Sequence, residues 1–329
     1  MKGAHVTRSA RGRTATLTAL ALSAALGLSA CGTGGGGESK NAEKRTHPVK
    51  TAKGTVSVPD APERVVVLDT GELDSAITLG VKPVGATKAD VGKALPGYLP
   101  KDKVEGIENV GTIGQPNLEK IASLKPDLIL TSALRDEANY EELKAIAPTV
   151  MTEATGYPWK QNFRVHADAL GKKAEGEKVV ADYEKHAAEV TEALGGRKKA
   201  KELKTNVIRF TEGSDTRIYG DKSYIGTVLK DVGLGRPPIV KKAKEADGLY
   251  VGVSPERIDE ADADVLFHSS YGDPDKSGYS KAVKSDLWKD VRAVRDGKAF
   301  AVDDDRWFLG IGYTSAHQIL DDISKNLAG

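Results

Sequence analysis

Two stretches of this chain read alike. EKIASLKPDLILTS begins at Glu119 and ERIDEADADVLFHS begins at Glu256. Each runs Glu, a basic residue, Ile, five further positions, Asp, then three apolar residues. Pro116 and Pro255 stand just ahead of the phrases, where a helix start tolerates proline. Each phrase predicts a short helix feeding a core strand, 127–130 in one case and 264–267 in the other. The wider order repeats as well: a strand, a helix ending in Gly, then the Glu phrase. Short αβ phrases do recur by chance. The repeat of the larger order argues instead for two related α/β lobes.

The residues around the phrases fill in this plan. Apolar 64–68 reads as a buried strand, 72–79 has helical spacing and stops at Gly80, and 82–86 returns as a short strand. That β-α-β order implies a parallel sheet. The middle of the chain is helical. One amphipathic segment covers 157–170. A longer one covers 175–194, with Val179, Val180, Tyr183, Ala187, Val190 and Leu194 on its apolar side and Gly195-Gly196 ending it. The strand pattern restarts over 205–210, and 224–232 is the next helix. The expected fold is therefore α/β: two α/β lobes with parallel-type sheets, bridged by a single long helix. The expected boundaries are 61–156 for the first lobe, 157–202 for the helical region and 203–329 for the second.

The N-terminal end differs in composition. Its first 30 residues contain no Asp or Glu but carry Lys2, Arg8, Arg11 and Arg13, followed by an Ala/Leu-rich run over 17–28. The run is short for a membrane span and has the order of a secretory signal. Removing this segment leaves 44 basic against 47 acidic residues, a net charge of −3. So balanced a chain lacks the basic excess of a general nucleic-acid binder. Leu28-Ser29-Ala30-Cys31 resembles the bacterial lipoprotein box, which implies a signal peptide over 1–30 and a lipid on Cys31. Acyl chains add about 0.8 kcal/mol per buried CH₂, so more than one chain gives a stable anchor. Residues 31–60, Gly-rich and then charged, are expected to form a flexible tether. Cys31 is the sole cysteine. An internal disulfide and a multi-thiolate zinc site are thereby excluded.

Longer phrases carry a wider resemblance. APERVVVLDTGELDSAITLGVKPVGA, VGTIGQPNLEKIASLKPDLIL, LKAIAPTV, VLKDVGLGRPP, SPERIDEADADVLF and LWKDVRAVRDGKAFAVDDDRWFLGIG cover nearly the whole chain beyond the tether. In order and spacing they resemble the substrate-binding lipoproteins of bacterial ABC importers for ferric siderophores, haem and vitamin B12. The resemblance implies a ligand cleft between two lobes, a monomer, and an extracytoplasmic, membrane-anchored position. It also implies that one carboxylate per lobe, here Glu119 and Glu256, docks onto arginines of the permease. Each Glu could instead serve its own helix, since acids suit a first turn.

Ligands of open α/β sheets lie beyond the carboxyl ends of the strands. Arginines and aromatics near strand exits are therefore the binding candidates: Arg135, Tyr157, Trp159, Tyr271 and Trp307 after strands, Arg209 inside its strand, Tyr219 in the loop after it and Tyr224 at the next helix start. Trp288 and His268 read as structural. Aromatic faces suit the apolar body of a ferric complex, and Arg suits metal-bound oxygens. A triscatecholate complex, strongly negative, would want a basic cluster. The mainly aromatic set favours a near-neutral hydroxamate of the ferrioxamine type. Some hydroxamate-binding relatives carry an Arg shortly before the PNLE phrase, and VGTIGQPNLE offers none. Haem or cobalamin is the alternative cargo, with Tyr224, Tyr271 and His268 as possible axial ligands for haem. No cofactor is expected, and any iron would be held by the siderophore. An enzyme is disfavoured by the lack of GxSxG and GxxxxGK[ST] motifs, although a surface lipoprotein enzyme is the remaining alternative.

Overall fold

The computed structural model describes residues 45–91, 94–243 and 246–328. The signal segment, Cys31 and the tether up to residue 44 lie outside the described residues. Order begins earlier than the sequence suggests. β1 (Thr46–Thr51) and β2 (Gly54–Pro59) form an antiparallel hairpin inside the expected tether. Val49 and Val58 are its buried side chains. The Ala52 N–H donates to the Met151 carbonyl at 2.8 Å, and a His47 ring nitrogen lies 2.9 Å from the Asp168 carbonyl. Two buried valines in a polar hairpin give too weak an alternation to stand out. The bonds that fix the hairpin come from residues about 100 positions away.

The first lobe is built on β3 (Val65–Val67), β4 (Gly85–Lys88), β5 (Glu108–Thr112), β6 (Gln115–Pro116), β7 (Leu128–Ser132) and β8 (Thr149–Thr152), ordered β6-β5-β4-β3-β7-β8. Its pairs are parallel apart from β5–β6. The second lobe uses β9 (Thr205–Thr211), β10 (Thr216–Tyr219), β11 (Tyr250–Val253), β12 (Val265–Tyr271) and β13 (Ala299–Ala301), ordered β11-β10-β9-β12-β13. The expected parallel-type core is present here too, with an antiparallel edge. β9, β12 and β13 are parallel, but β10 and β11 run antiparallel at the edge. Tyr219, expected in a loop, ends β10.

The repeated phrase has a structural meaning. Asp127 precedes β7, and its carboxylate accepts from the Glu63 and Arg64 N–H groups at 3.0 and 2.9 Å. Asp264 precedes β12 and accepts from the Lys204 N–H at 2.8 Å. In each lobe the Asp ties the start of its own strand to the start of the adjacent parallel strand, β3 or β9. Only the first phrase forms an α-helix, Leu118–Ser123. Pro255–Ala261 is a 3₁₀ helix whose Arg257 leaves helical geometry.

The helix Lys173–Ala193 connects the lobes, about 31 Å long at 1.5 Å per residue. It packs on Trp159–Ala169 of the first lobe and on Tyr224–Val232 of the second. The C-terminal helix Tyr313–Leu327 lies along it and reaches back to the first lobe, where it meets the helix Thr70–Thr78. Tyr313 sits at the crossing, with its ring centroid 4.6 Å from those of Trp159 and Phe163 and 5.3 Å from that of Tyr183. Asp74, fully buried on Thr70–Thr78, caps the C-terminal helix from across the lobes. Its carboxylate accepts from Thr314 and Ser315 N–H at 3.1 and 3.2 Å and from the Tyr98 hydroxyl at 3.0 Å. The helix's own N-cap, Gly312, has no side chain to offer. A Cβ there would meet Asp74 Oδ1 at 2.1 Å.

Candidate ligand cleft and docking surface

Two contacts show how the lobes face each other. Val91, after β4, donates its N–H to the Tyr271 hydroxyl at the end of β12 at 3.2 Å. Gly97 donates its N–H to Asp305, after β13, at 2.9 Å. The carboxyl ends of the two sheets are thus apposed, as ligand clefts of this architecture require.

On the second-lobe wall, strand alternation sends Ile208 and Phe210 into the core behind the sheet and turns Arg209 to the opposite face. Its guanidinium binds Asp304 through Nε at 2.8 Å and Nη2 at 2.5 Å, and Ser269 Oγ donates to the same carboxylate at 2.7 Å. The Tyr271 ring lies 4.3 Å from the guanidinium carbon and the Phe308 ring 5.2 Å. Tyr219 packs on Phe308 at 5.0 Å. Burial opposes the charge of Arg209. The hydrogen bond and charge of Asp304, together with Tyr219, outweigh it and keep this group above the usual arginine range. The result is a charge-neutral wall with aromatic faces, held in place because both Asp304 oxygens are bonded to the guanidinium.

On the first-lobe side, Arg135 follows β7 on the short helix Ala133–Asp136. Its Nε donates to the buried Asp69 carboxylate at 2.8 Å, while its own side chain stays 35% exposed. Leu134 beside it is 61% exposed and Val91 42%. They supply apolar contact next to a presented guanidinium edge.

The structure brings together Arg209, Tyr219 and Tyr271, and it puts Arg135 on the facing lobe. It moves the others away. Trp307, expected in the pocket, is fully buried, donates Nε1–H to Asp322 at 2.8 Å and packs on Phe267 at 4.5 Å. Trp159 and Tyr224 are core as well, at 2% and 4% exposure. Trp159 donates to Thr227 Oγ1 at 2.7 Å, and the Tyr224 hydroxyl lies 2.9 Å from the Gly312 carbonyl. Tyr157 is exposed but lines a flank cavity that shares no residue with the Arg209 cluster. Phe308, which follows the 299–301 strand beside Trp307, belongs to the wall, and so does Asp304, which the sequence did not mark as a partner of Arg209. Arg217 and Tyr250 were not singled out by sequence. Arg217 pairs in register with Arg209, its guanidinium carbon is 4.6 Å from the Tyr250 ring centroid, and its buried Nε has no hydrogen-bond partner. The alternation of Thr216-Arg-Ile-Tyr219 puts Arg217 and Tyr219 on one face, a signal legible once β10 is seen as a strand.

His268 is structural. It is buried, lies 3.2 Å from the Tyr279 hydroxyl, and is held neutral by burial with a pKa near about 4. Among the described residues, no group of three His, Cys, Asp or Glu is arranged to hold a metal ion. No helix among them is long and apolar enough to cross a membrane. Glu119 and Glu256 are both exposed, and their carboxylates make no hydrogen bond or ion pair among the described residues. The cap of Leu118–Ser123 is Asn117, whose Oδ1 accepts from Lys120 N–H at 2.9 Å.

Two lobes, one bridging helix and a cleft at the apposed strand ends define a substrate-binding protein of a transporter. Residues 65–306 match the family described as periplasmic binding protein, and the chain belongs to it; the members bind substrates for transport and are not enzymes. It is 38% identical over 294 residues to YfiY of Bacillus subtilis, named a probable siderophore-binding lipoprotein, with 87% of this chain and 89% of the relative covered. It is 31% identical over 298 residues to the Fe(3+)-citrate-binding protein YfmC of the same organism, covering 88% and 89%. The Staphylococcus aureus SirA structure complexed with staphyloferrin B is similar at a TM-score of 0.76 and 33% identity, covering 86% of this chain and 98% of that one.

Proposed function

We propose that this protein captures a ferric siderophore in the cleft between Arg135 and the Arg209–Tyr271–Phe308 wall and passes it to an ABC permease. Glu119 and Glu256 are the docking carboxylates, and a lipid on Cys31 anchors the monomer outside the membrane. The observation carrying the cargo class is the wall itself. Aromatic faces flank a guanidinium neutralised by Asp304, and the facing Arg135 is likewise paired with Asp69. Such a surface suits a bulky complex of little net charge, which favours a trishydroxamate of the ferrioxamine type. Free glutamates on both lobes, uninvolved in capping, support docking.

A second reading rests on Arg217, which has no carboxylate within salt-bridge distance among the described residues. It favours an anionic, carboxylate-bearing ferric complex. Titration with ferrioxamine, ferric citrate, haem and cobalamin, followed by tryptophan fluorescence, decides between them. Saturation by ferrioxamine supports the first reading, and saturation by ferric citrate alone supports the second. Saturation by neither iron complex overturns both.

A further inference from the structure

Among the described residues, a cavity of about 790 Å³ shares no lining residue with the Arg209 wall and meets it where Arg236 bonds the Tyr219 carbonyl. Its size is that of a small-molecule site, typically about 300–1,000 Å³. Both lobes contribute to it: residues 157–161 from the start of the helix Trp159–Ala169, and residues 221–236 from the second lobe. Seven of its lining residues are Lys or Arg, and two, Asp221 and Asp231, are acidic. Asp231 is already engaged, accepting from Lys160 Nζ at 2.5 Å and from the Tyr183 hydroxyl at 2.8 Å. Arg197, Lys201, Lys204 and Lys230 have no carboxylate partner among the described residues. Two helix C-termini also face this region, at Glu202 and Val232. Their partial charges offset about one positive charge in total, so a clear cationic excess remains.

The convergence is built by the backbone. Lys204 pairs with Gly235 in an isolated parallel bridge, and the Thr205 N–H donates to the Gly235 carbonyl at 2.9 Å. A side chain at 235 is impossible there, since its Cβ would meet the Lys201 carbonyl at 2.2 Å. Arg236 then enters with its side chain only 11% exposed. Its Nη2 donates to the Tyr219 carbonyl, its Nε and Nη1 have no hydrogen-bond partner among the described residues, and the Asp221 carboxylate stands off at 3.8 Å. A buried guanidinium with two idle donor nitrogens calls for an acceptor. A tetrahedral oxyanion meets the forked donors of Arg and the point charges of Lys together.

We infer that this flank cavity is a second binding site, selective for a phosphate-bearing multivalent anion and distinct from the siderophore cleft. The phosphate could be a free anion or a lipid headgroup, and the experiment separates the two. Calorimetry on the purified full chain uses pyrophosphate at fixed ionic strength, because exposed charges are salt-screened. A parallel arm uses flotation with phosphatidylglycerol vesicles against phosphatidylcholine vesicles. Saturable pyrophosphate binding assigns a soluble ligand, and binding to phosphatidylglycerol vesicles alone assigns a headgroup. In either case the Lys201→Gln/Lys204→Gln variant should bind at least about tenfold more weakly. Arg236→Gln should do the same, and ferric-siderophore affinity should not change in the Lys201→Gln/Lys204→Gln variant, whose residues touch no wall residue. Lys101→Gln/Lys103→Gln, on an exposed helix of the first lobe, is the charge-matched control. No binding in either arm, or an equal loss in the control, overturns the inference. The Lys201/Lys204 pair is exposed, so its result stands even if Arg236→Gln fails to fold.

Discussion

Replacing Asp74 with Ala removes the group that fastens the C-terminal helix to the first lobe. Two backbone N–H groups, of Thr314 and Ser315, lose their acceptor, and so does the buried Tyr98 hydroxyl. Thr78 is less affected, because its hydroxyl keeps Thr314 Oγ1 at 2.7 Å. Loss of a helix cap costs about 1 kcal/mol. A buried hydroxyl left without a partner costs about 1–3 kcal/mol more. One saving opposes these costs: the carboxylate is fully buried, and burial pushes its pKa up in spite of the donors around it. The expected net loss is about 2–4 kcal/mol, roughly a 5–10 °C fall in Tm for a chain of this size. Urea unfolding followed by circular dichroism reads it directly. Asp74→Asn should fall between wild type and Asp74→Ala, since an amide keeps one acceptor oxygen. A loss below about 0.5 kcal/mol in Asp74→Ala, the range of ordinary surface changes, would refute the trans-capping argument.

Arg209→Ala should weaken siderophore binding by about 1–3 kcal/mol in the fluorescence titration. Trp307→Ala should act on stability instead, by about 3–5 kcal/mol in urea unfolding, because its ring is core. His166 is buried, and its folded pKa is lowered to about 3 from 6.5 by burial. The stability due to its neutral ring is complete above about pH 6.5 and is lost as pH falls from there towards 3. Unfolding free energies at pH 7.5 and 4.5 should therefore differ less in His166→Gln than in wild type. Burial, then the nearby Asp69, raises Glu72 to about 8 from 4.5. Its sign is opposite: stability falls as pH rises from 4.5 to 8, so Glu72→Gln should gain most over wild type near pH 8. Charge reversal at both Glu119 and Glu256 should abolish uptake of labelled ferric siderophore and leave affinity unchanged. Continued uptake would remove the docking assignment.

The amino-acid sequence alone determined the two-lobe plan. Local signals suffice for that: apolar runs mark β3, β7, β9 and β12, the uninterrupted period of 175–194 marks the bridge, and Asp127 and Asp264 occupy matching positions because each ties its strand to a parallel neighbour. The chain positions of Arg135 and Tyr271 at strand exits and of Arg209 inside its strand were legible too. What sequence could not decide is which way an aromatic at such an exit turns. Trp159, Tyr224 and Trp307 share the chain position of the residues on the proposed wall, but packing against partners 15, 65 and 154 residues away made them core. Arg217 and Tyr250 entered the wall through antiparallel register with Arg209 and Tyr219. The flank cavity arose in the same way, from a bridge between Lys204 and Gly235. Periodicity tells one residue which element it belongs to. Its neighbours across space, and so its charge partners and exposure, are fixed only when the elements pack.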